Sequence, residues 1–394
     1  MAELFQIREK YRSEIEDRKK TRWMIAIVVS ILVVGIGIVI AVSYYYNNRC
    51  FNSCRVESQV QRNDSNSVSY RYFRGDFLKY SRNGISAVDS AGKSLWNGGY
   101  EMKQPQVDTC EEYVSVADVM GKQVYVYNGL DEGTSIETAL PVVRAKVSEK
   151  GIVAALVQDS DSNVLNIYNP YSSADGLLVE IPTNVSEEGY PLDFDISPDG
   201  NSVVTSYLSV SGVAVENKIS FYNFTAVGQD KNTLVGGKSF GDKMISCVEF
   251  LGEDTVAVFH ENGFSLFTQM KQPVLLFEKE FEEDIRSIAY DEDYIAVVTG
   301  NSGKEEKQIL RLFSLKGKEI FNRPISFDYS KMELYEDEII FSGNHHCNIV
   351  RLNGRDKLDC EFEDVVEGVF PTENGSIYTL IDAAAIKQVK LEMK

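Results

Sequence analysis

The residues with the clearest potential for chemistry are two adjacent histidines, His345 and His346, followed by Cys347 and, beyond a polar turn, Cys360. Imidazole nitrogens and thiolate sulfurs are the ligands that zinc prefers, so this group suggests a metal site. Adjacent residues of a β-strand, however, point to opposite faces, and a single ion would not reach both histidines. The spacing therefore argues against a metal centre, and the sequence predicts none.

A disulfide bond explains the same two cysteines better. If Asn353 and Gly354 form a two-residue type I′ turn, counting outward along both strands places Cys347 opposite Cys360. By alternation from the turn, this pair occupies a non-hydrogen-bonded site, where side chains approach most closely. We therefore predict a cross-strand disulfide, and two buried thiols are the alternative.

The other four cysteines form two groups. Cys50 and Cys54 lie close together just after an apolar segment. A bond between them, a bridge between two chains and two thiols all fit this spacing, and a bond of some kind is the favoured interpretation. Cys110 and Cys247 lie in or beside predicted strands of different repeats, which indicates small buried core residues.

The remaining residues give no clear enzymatic signature. A hydrolytic nucleophile needs a nearby base, usually a histidine, but His260 ends a predicted strand and no Gly-x-Ser-x-Gly elbow accompanies it. Trp96 is the only tryptophan away from the apolar segment, which argues against a stacked quinone cofactor. No phosphate-binding loop or dinucleotide fingerprint is present. We expect no cofactor and no catalytic residue, although the sequence leaves enzymatic activity open.

The elements that hold these residues are short β-strands in a repeating pattern. From residue 70 onward, a short apolar or alternating strand, a turn and a second strand rich in Tyr, Phe, Ile and Val recur about every 40 residues, and most copies have a further strand on each side. Eight such hairpins run from residues 85–96 to residues 377–391. Four antiparallel strands at this period are typical of a β-propeller blade. The sequence therefore predicts an all-β fold, an eight-bladed β-propeller.

The ends of such a ring must meet. The last repeat, residues 366–392, supplies only three strands. Residues 69–74, SYRYFR, alternate in character and are expected to supply the fourth strand. A seven-bladed ring or a pair of β-sandwiches is the alternative architecture.

The clearest repeat spans residues 190–208, YPLDFDISPDGNSVVTSYL. Its central turn consists of Ser197, Pro198, Asp199 and Gly200. Pro sets φ at the second position, Asp caps the turn and Gly accepts a left-handed geometry, so these residues predict a tight turn between two strands of a blade.

Strand, Ser-Pro-Asp-Gly, strand resembles the blades of bacterial propellers of the quinoprotein-like and YVTN types. With residues 221–224, FYNF, this stretch is also similar to a family of uncharacterised envelope proteins of anaerobic Gram-positive bacteria, specifically between residues 141 and 224. The resemblance implies a cytoplasmic stub, one membrane span and a propeller outside the cytoplasm, and it brings no activity. The anaerobic source that it implies argues against disulfides.

Residues 24–42, MIAIVVSILVVGIGIVIAV, contain no charged side chain. As a helix they would span roughly 28 Å, close to the apolar thickness of a bilayer. The sequence therefore predicts one transmembrane helix in contact with the lipid bilayer, and a cleaved signal peptide ending near residues 41–43 is the alternative. The predicted membrane-interface anchors are Arg22, Trp23, Tyr44, Tyr45 and Tyr46.

Charge indicates an orientation and excludes one class of partner. Residues 1–22 carry seven Lys or Arg, which predicts a cytoplasmic N-terminus and a C-terminal domain outside. Removing these seven bases and the five acids of the same segment from the totals of 40 and 59 leaves 33 against 54, a net charge of −21. Such a surface repels nucleic acid, which is therefore not expected as a partner.

Four regions follow: a cytoplasmic tail (1–22), a transmembrane helix (23–46), a stalk or linker (47–68) and an extracytoplasmic propeller (69–394). The first functional hypothesis is a non-catalytic platform for another envelope protein or a cell-wall component, because catalytic groups are scarce. The alternative is a ligand sensor or an enzyme with a site in the central channel. An apolar patch on one face favours the first, and polar loops that converge on the channel favour the second.

Overall fold

The computed structural model describes residues 22–393, except for 26, 43, 46–47, 63, 65–66, 160–162, 173–175, 184, 186–187, 230–232, 301–307 and 336. The chain forms two compact units, Met1–Cys50 and Phe51–Lys394.

The first unit contains helix α1, Arg22–Val42, which is long and apolar enough to cross a membrane. Its described side chains are exposed around the whole circumference, unlike those of a helix that packs one stripe against a core. Arg22 and Trp23 begin the helix, and Tyr44 and Tyr45 follow it. The remaining predicted anchor, Tyr46, lies outside the described residues.

The second unit is an eight-bladed β-propeller, built from eight four-stranded antiparallel sheets, as predicted. Strands β2–β29 form blades 1–7 in sequence order, and blade 8 combines β30–β32 with β1. The strands of blades 1–4 are β2 Ser69–Phe73, β3 Asp76–Ser81, β4 Gly84–Val88, β5 Ser94–Gly99; β6 Pro105–Cys110, β7 Tyr113–Asp118, β8 Gln123–Tyr127, β9 Thr134–Glu137; β10 Val142–Val147, β11 Val153–Gln158, β12 Asn163–Tyr168, β13 Leu177–Thr183; β14 Tyr190–Ile196, β15 Ser202–Ser211, β16 Ala214–Asn223, β17 Leu234–Gly241.

A single helical turn, α2 Ala226–Gln229, connects β16 to β17. The strands of blades 5–8 are β18 Ile245–Phe250, β19 Thr255–His260, β20 Gly263–Thr268, β21 Val274–Glu280; β22 Asp284–Tyr290, β23 Tyr294–Gly300, β24 Gln308–Ser314, β25 Glu319–Ile325; β26 Lys331–Tyr335, β27 Glu338–Ser342, β28 His346–Arg351, β29 Asp356–Glu361; β30 Val366–Pro371, β31 Ile377–Asp382, β32 Ala385–Glu392, β1 Ser53–Gln61.

The first strands of the blades line the central channel. Among them, β6, β10, β14 and β18 lie against one another in that order, as do β22 and β26. The second and third strands are the most buried, because they have a neighbour on both edges and a blade on both faces. The hydrophobic clusters extend from one blade to the next: Val124 and Ala117 of blade 2 pack with Val153 and Val142 of blade 3. The core is therefore a ring of contacts between blades.

The topology gives the ring two different faces. On one face the second strand of each blade turns into the third, and each blade joins the next; we call this the connecting face. The opposite face carries the turns from first to second strand and from third to fourth strand.

The ring closes through β1, not through the strand expected from the sequence. Ser53–Gln61 pairs antiparallel with β32 as the outermost strand of blade 8, whereas Ser69–Phe73 is the first strand of blade 1. The prediction that residues 69–74 close the ring is therefore wrong, and the predicted linker, residues 47–68, contains a blade strand. The physical reason is exposure: most side chains of β1 face solvent, so its sequence lacks the apolar alternation of an inner strand.

The segment that leaves β1 is also held firmly. The Arg62 and Asp64 side chains are only 4% and 5% exposed, with Nη2 of Arg62 3.2 Å from Oδ2 of Asp64. Arg62 Nη1 lies 2.6 Å from Oε2 of Glu367 in β30, and Tyr70 of β2 donates a hydrogen bond to Asp64. This polar crossing joins blade 8 to blade 1.

Candidate functional site: a charged channel and an apolar hairpin

Four charged side chains from the first strands of blades 2–5 meet in the channel. The ammonium of Lys146 lies 3.0 Å from Oε1 of Glu249, 3.6 Å from Oδ1 of Asp195 and 3.8 Å from Oδ1 of Asp108. All four side chains are mostly buried, with 11 to 16% of their surface exposed. We call these residues the Lys146 cluster.

The carboxylates of the channel also bind the backbone of the next blade. Asp108 accepts a hydrogen bond from the N–H of Val147 at 2.9 Å, and Asp195 accepts one from Phe250 at 2.8 Å. Asp193, one layer nearer the connecting face, accepts in the same way from the backbone of β18. Since N–H groups of an inner strand need partners, these contacts fasten neighbouring blades to each other.

Burial and charge set the protonation of the cluster. Burial raises the pKa of Asp195 well above its ordinary range, and the neighbouring Glu249 raises it further. Burial alone would raise the pKa of Glu249 too, but the Lys146 charge and a hydrogen bond from Asp195 hold it below the ordinary value. Burial opposes the charged form of Lys146, yet the three carboxyl groups raise its pKa well above normal. The cluster therefore shifts the pKa values of Asp195 and Glu249 in opposite directions, upward for Asp195 and downward for Glu249.

This arrangement has the group types of an acid–base pair, but its groups are already engaged. Tyr290 adds a hydrogen bond to Glu249 from blade 6. Among the described residues, no group of three or more His, Cys, Asp or Glu side chains is arranged to hold a metal ion. The Lys146 cluster has the features of a structural contact that holds neighbouring blades together.

A second feature lies on the connecting face, where the hairpin of β15 and β16 extends beyond its blade. Both strands contain ten residues, whereas the described second strands of the other blades contain five to seven. β14 pairs with β15 only as far as Leu208, and β17 pairs with β16 only as far as Asn217. The pairs from Ser209 and Glu216 outward therefore form a free two-stranded ribbon, about 10 Å long at 3.4 Å per residue.

The tip of this ribbon is apolar and exposed. Val210 and Val215 are paired across the ribbon and are 65% and 40% exposed, while Val213 at the turn is fully exposed. Tyr190 is paired with Leu208 on the same face of the sheet and is 46% exposed. We call Tyr190, Leu208, Val210, Val213 and Val215 the apolar hairpin.

Sequence reasoning missed both features. The repeat identified in the sequence ends at Leu208, although alternating valines on both sides of Gly212 signal a longer hairpin. The signal for the Lys146 cluster is positional, because Lys146, Asp195 and Glu249 are each the penultimate residue of a first strand. That regularity is visible only after the first strands have been aligned.

The predicted turn at Ser197, Pro198, Asp199 and Gly200 forms between β14 and β15 on the opposite face. Asp199 accepts hydrogen bonds from the Ser197 hydroxyl at 2.6 Å and from the Asn201 N–H at 2.9 Å. The Gly200 N–H donates to the carbonyl of Ser197, and Gly200 has φ +74°. With the turns of blade 5, it borders a cavity of about 430 Å³ that includes Asp254 and Lys271 in its lining.

The structure confirms the register predicted for Cys347 and Cys360 and corrects its origin. The two residues are paired, but the turn spans Arg351 to Gly354, and a bulge beside Val350 restores the register. The bulge also changes the type of site. Since the Asp359 N–H points away from β28, Cys360 faces Cys347 at a hydrogen-bonded position.

The structure holds all six cysteines as thiols, so the disulfide between Cys347 and Cys360 stays a prediction. Cys50 and Cys54 belong to different compact units, and a bond between them likewise stays a prediction. His260 lies apart from the other two histidines and is buried beside Asn262, and His346 Nε2 lies 2.7 Å from Oδ1 of Asp359.

Comparison with known proteins identifies a family and a fold. A protein-family model described as a family of unknown function (DUF5711) matches residues 47–391. No curated protein sequence matches the chain. Among solved structures, BamB from Moraxella catarrhalis superposes with a TM-score of 0.54 at 10% identity, covering 86% of this chain and 100% of that one. A eukaryotic initiation factor gives a TM-score of 0.52 at 13% identity, covering 85% and 87%. At such identities the likeness shows the propeller fold alone.

Proposed function

The chain belongs to the DUF5711 family, whose function is unknown, and we propose that it is a membrane-tethered propeller that binds another protein through its connecting face. The partner is an envelope protein with an apolar groove or strand edge that receives the apolar hairpin. The propeller is the binding module, and no chemical step is assigned to it.

The apolar hairpin carries this proposal. Isolated apolar side chains are normal on protein surfaces, but Val210, Val213 and Val215 form a contiguous apolar tip on a ribbon that the ring does not need. Both edges of the ribbon also offer unpaired backbone groups, which suit pairing with a strand of a partner. An apolar tip favours a protein over a cell-wall polymer, whose surface is polar.

Helix α1 is the proposed tether. Its length and composition suit a single membrane span, and the seven basic residues that precede its apolar core favour a cytoplasmic N-terminus. The propeller would then lie outside the cytoplasm. Its net charge of −21, obtained as 33 bases less 54 acids, favours a partner whose contact rim is basic.

A small-ligand sensor or an enzyme with a site in the central channel has less support. The groups of the Lys146 cluster are engaged with each other and with the backbone of neighbouring blades. A ligand that competed for Lys146 would have to displace Glu249 or Asp195 from a buried contact.

Site-specific photocrosslinking in native membranes tests the proposal. A photoreactive residue in place of Val213 is expected to capture a distinct protein, identified by mass spectrometry. The matched control carries the same probe in place of Leu130, which is apolar and 85% exposed but lies on the opposite face, between β8 and β9.

Capture from position 213 and not from position 130 would support the proposal. No adduct from position 213, or the same set of adducts from both positions, would overturn it. Binding of a metabolite by the purified full chain, lost on substitution of the Lys146 cluster, would favour the channel alternative.

A further inference from the structure

Three cysteines meet where the chain leaves the edge of blade 7 and enters β1 of blade 8. Cys54 of β1 packs against a buried cluster that contains Cys347 of β28 and Cys360 of β29. Within this packing Cys54 lies close enough to Cys360 for the neighbouring thiol to raise its pKa. This contact joins the strand that closes the ring to the outermost strand of the preceding blade.

The backbone holds this contact in place. Just before β1, the Phe51 N–H donates to the Lys357 carbonyl at 2.7 Å, and the Phe51 carbonyl accepts from the Asp359 N–H at 3.0 Å. Phe51 and Leu358 form a parallel bridge. The chain therefore runs alongside β29 before it becomes β1, which brings Ser53 level with Cys360, and Cys54, one residue farther along, packs against the cluster that contains Cys360.

The geometry disfavours the other pairing of Cys360. Cys347 and Cys360 face each other at a hydrogen-bonded site, where Cα atoms are about 5.5 Å apart and side chains are farther apart than at the alternate site. A disulfide requires Cβ atoms within about 4.5 Å. Cys54 approaches from the adjoining blade, so its distance from Cys360 is not set by the pairing of β28 with β29.

We propose that Cys54 and Cys360 form a disulfide that fastens the closing strand of the propeller to blade 7. The oxidant is a disulfide compound of the glutathione class. The Cys54 thiolate attacks one sulfur of the oxidant and releases one thiolate; the Cys360 thiolate then attacks the mixed disulfide and releases the second. The two cysteines lose two electrons, and their two protons pass to the released thiolates.

The site also determines when the bond forms. Contact with Cys360, followed by burial, raises the pKa of the Cys54 thiol far above its ordinary value, so little thiolate is present in the closed ring. β1 is an exposed edge strand, so an oxidant would reach Cys54 when this strand is undocked. Oxidation therefore takes place while β1 opens or docks, and the finished bond holds β1 closed.

Disulfide mapping of the full chain in detergent tests the proposal. The chain is incubated with oxidised glutathione, both folded and during refolding from urea, then denatured, alkylated and digested with trypsin. Cys54, Cys347 and Cys360 lie in the separate peptides 50–55, 332–351 and 358–387. The Cys50→Ser variant leaves Cys54 as the single cysteine of peptide 50–55. We expect peptide 50–55 linked to 358–387, with Cys347 alkylated.

The matched controls are Cys347→Ser, which should keep the bond, and Cys54→Ser, which should lose it. The oxidised chain should also melt several degrees higher than the reduced chain, and a reductant should remove the difference. A link between 332–351 and 358–387, or alkylation of all three cysteines under both conditions, would overturn the proposal. Mapping of the Cys50→Ser chain decides this even if Cys54→Ser does not fold.

Discussion

The Lys146 cluster and the apolar hairpin are opposite kinds of surface. The cluster concentrates charged groups of the types that perform catalysis, yet each is engaged by a neighbouring blade. The hairpin carries no reactive group, but among the described residues no strand of the propeller pairs with its outer half. The groups that could perform chemistry and the surface that is available to a partner are thus in different parts of the molecule.

The difference teaches where to look for function in a ring of blades. Inner strands meet at the centre, so polar groups placed there hydrogen-bond across blades and stabilise the ring. A hairpin that continues past its sheet contributes little to that ring and leaves apolar surface in water. A segment that extends beyond the ring without stabilising it is therefore a better indicator of a binding surface than the polar groups at the centre.

The largest expected effect comes from removing the cation of the cluster. Lys146→Met leaves the carboxylates of Asp108 and Glu249 buried without a counter-ion, and should lower the free energy of unfolding by about 3–5 kcal/mol. Urea unfolding measures this. The control, Lys103→Met on the exposed surface, should stay within about 0.5 kcal/mol of the parent. Equal stability of the two variants would show that the cluster does not hold the blades together and would favour a binding site in the channel.

Substitution of two glycines compares the two ends of blade 4: Gly200 is in the buried turn between β14 and β15, and Gly212 is at the free tip of the ribbon. Gly200 (φ +74°) would bring a new Cβ within 2.6 Å of Cδ1 of Ile152, whereas Gly212 (φ +63°) has open space around it. Gly200→Ala should cost about 2–3 kcal/mol from backbone strain and crowding, and Gly212→Ala about 1 kcal/mol from strain alone. Thermal melting of both variants is the measurement, and a larger loss for Gly212→Ala would contradict the description of the hairpin as free.

The apolar hairpin should matter for binding and not for stability. The double variant Val210→Thr and Val215→Thr keeps β-branched shape but adds hydroxyls to the tip. We expect about a tenfold loss of affinity for the captured partner, about 1.4 kcal/mol, with stability within about 0.5 kcal/mol of the parent. Leu130→Thr on the opposite face is the control, and a similar loss of binding there would refute a specific hairpin contact.

The smallest effect concerns pH. Burial raises the pKa of Asp195 above its ordinary value of 3.8, so its protonated form contributes stability that is complete below pH 3.8 and is lost as pH rises through the folded pKa. Asp195→Asn mimics the protonated form and should remove this decline. The free energy of unfolding of the parent minus that of Asp195→Asn should therefore fall as pH rises from about 4 to 8. Parallel curves, like those expected for exposed Asp242→Asn, would contradict this protonation.

The sequence predicts the repeating part of this fold well, because second and third strands are buried and carry dense apolar patterns. It fails at β1, where an outermost strand exposes most of its side chains and resembles a polar linker. For Cys347 and Cys360 the predicted strand register is correct but the predicted turn is wrong, because a bulge compensates for the longer turn. Bulges depend on packing against the next blade, which no local pattern records.

The candidate sites are less predictable than the fold. Asp108, Lys146, Asp195 and Glu249 are on four different blades, and only closure of the ring makes them neighbours. The hairpin is local, but its importance depends on where the flanking strands stop pairing. Both properties are relations between strands and are not visible in any one segment.

The pairing of β1 with β32 has a consequence for biosynthesis. The ribosome makes β1 before every other strand of the propeller and β32 after all of them. Blade 8 therefore cannot assemble until translation has passed residue 392, and the earliest strand must wait as an unpaired edge throughout. Chains interrupted before β32 would leave that edge unpaired.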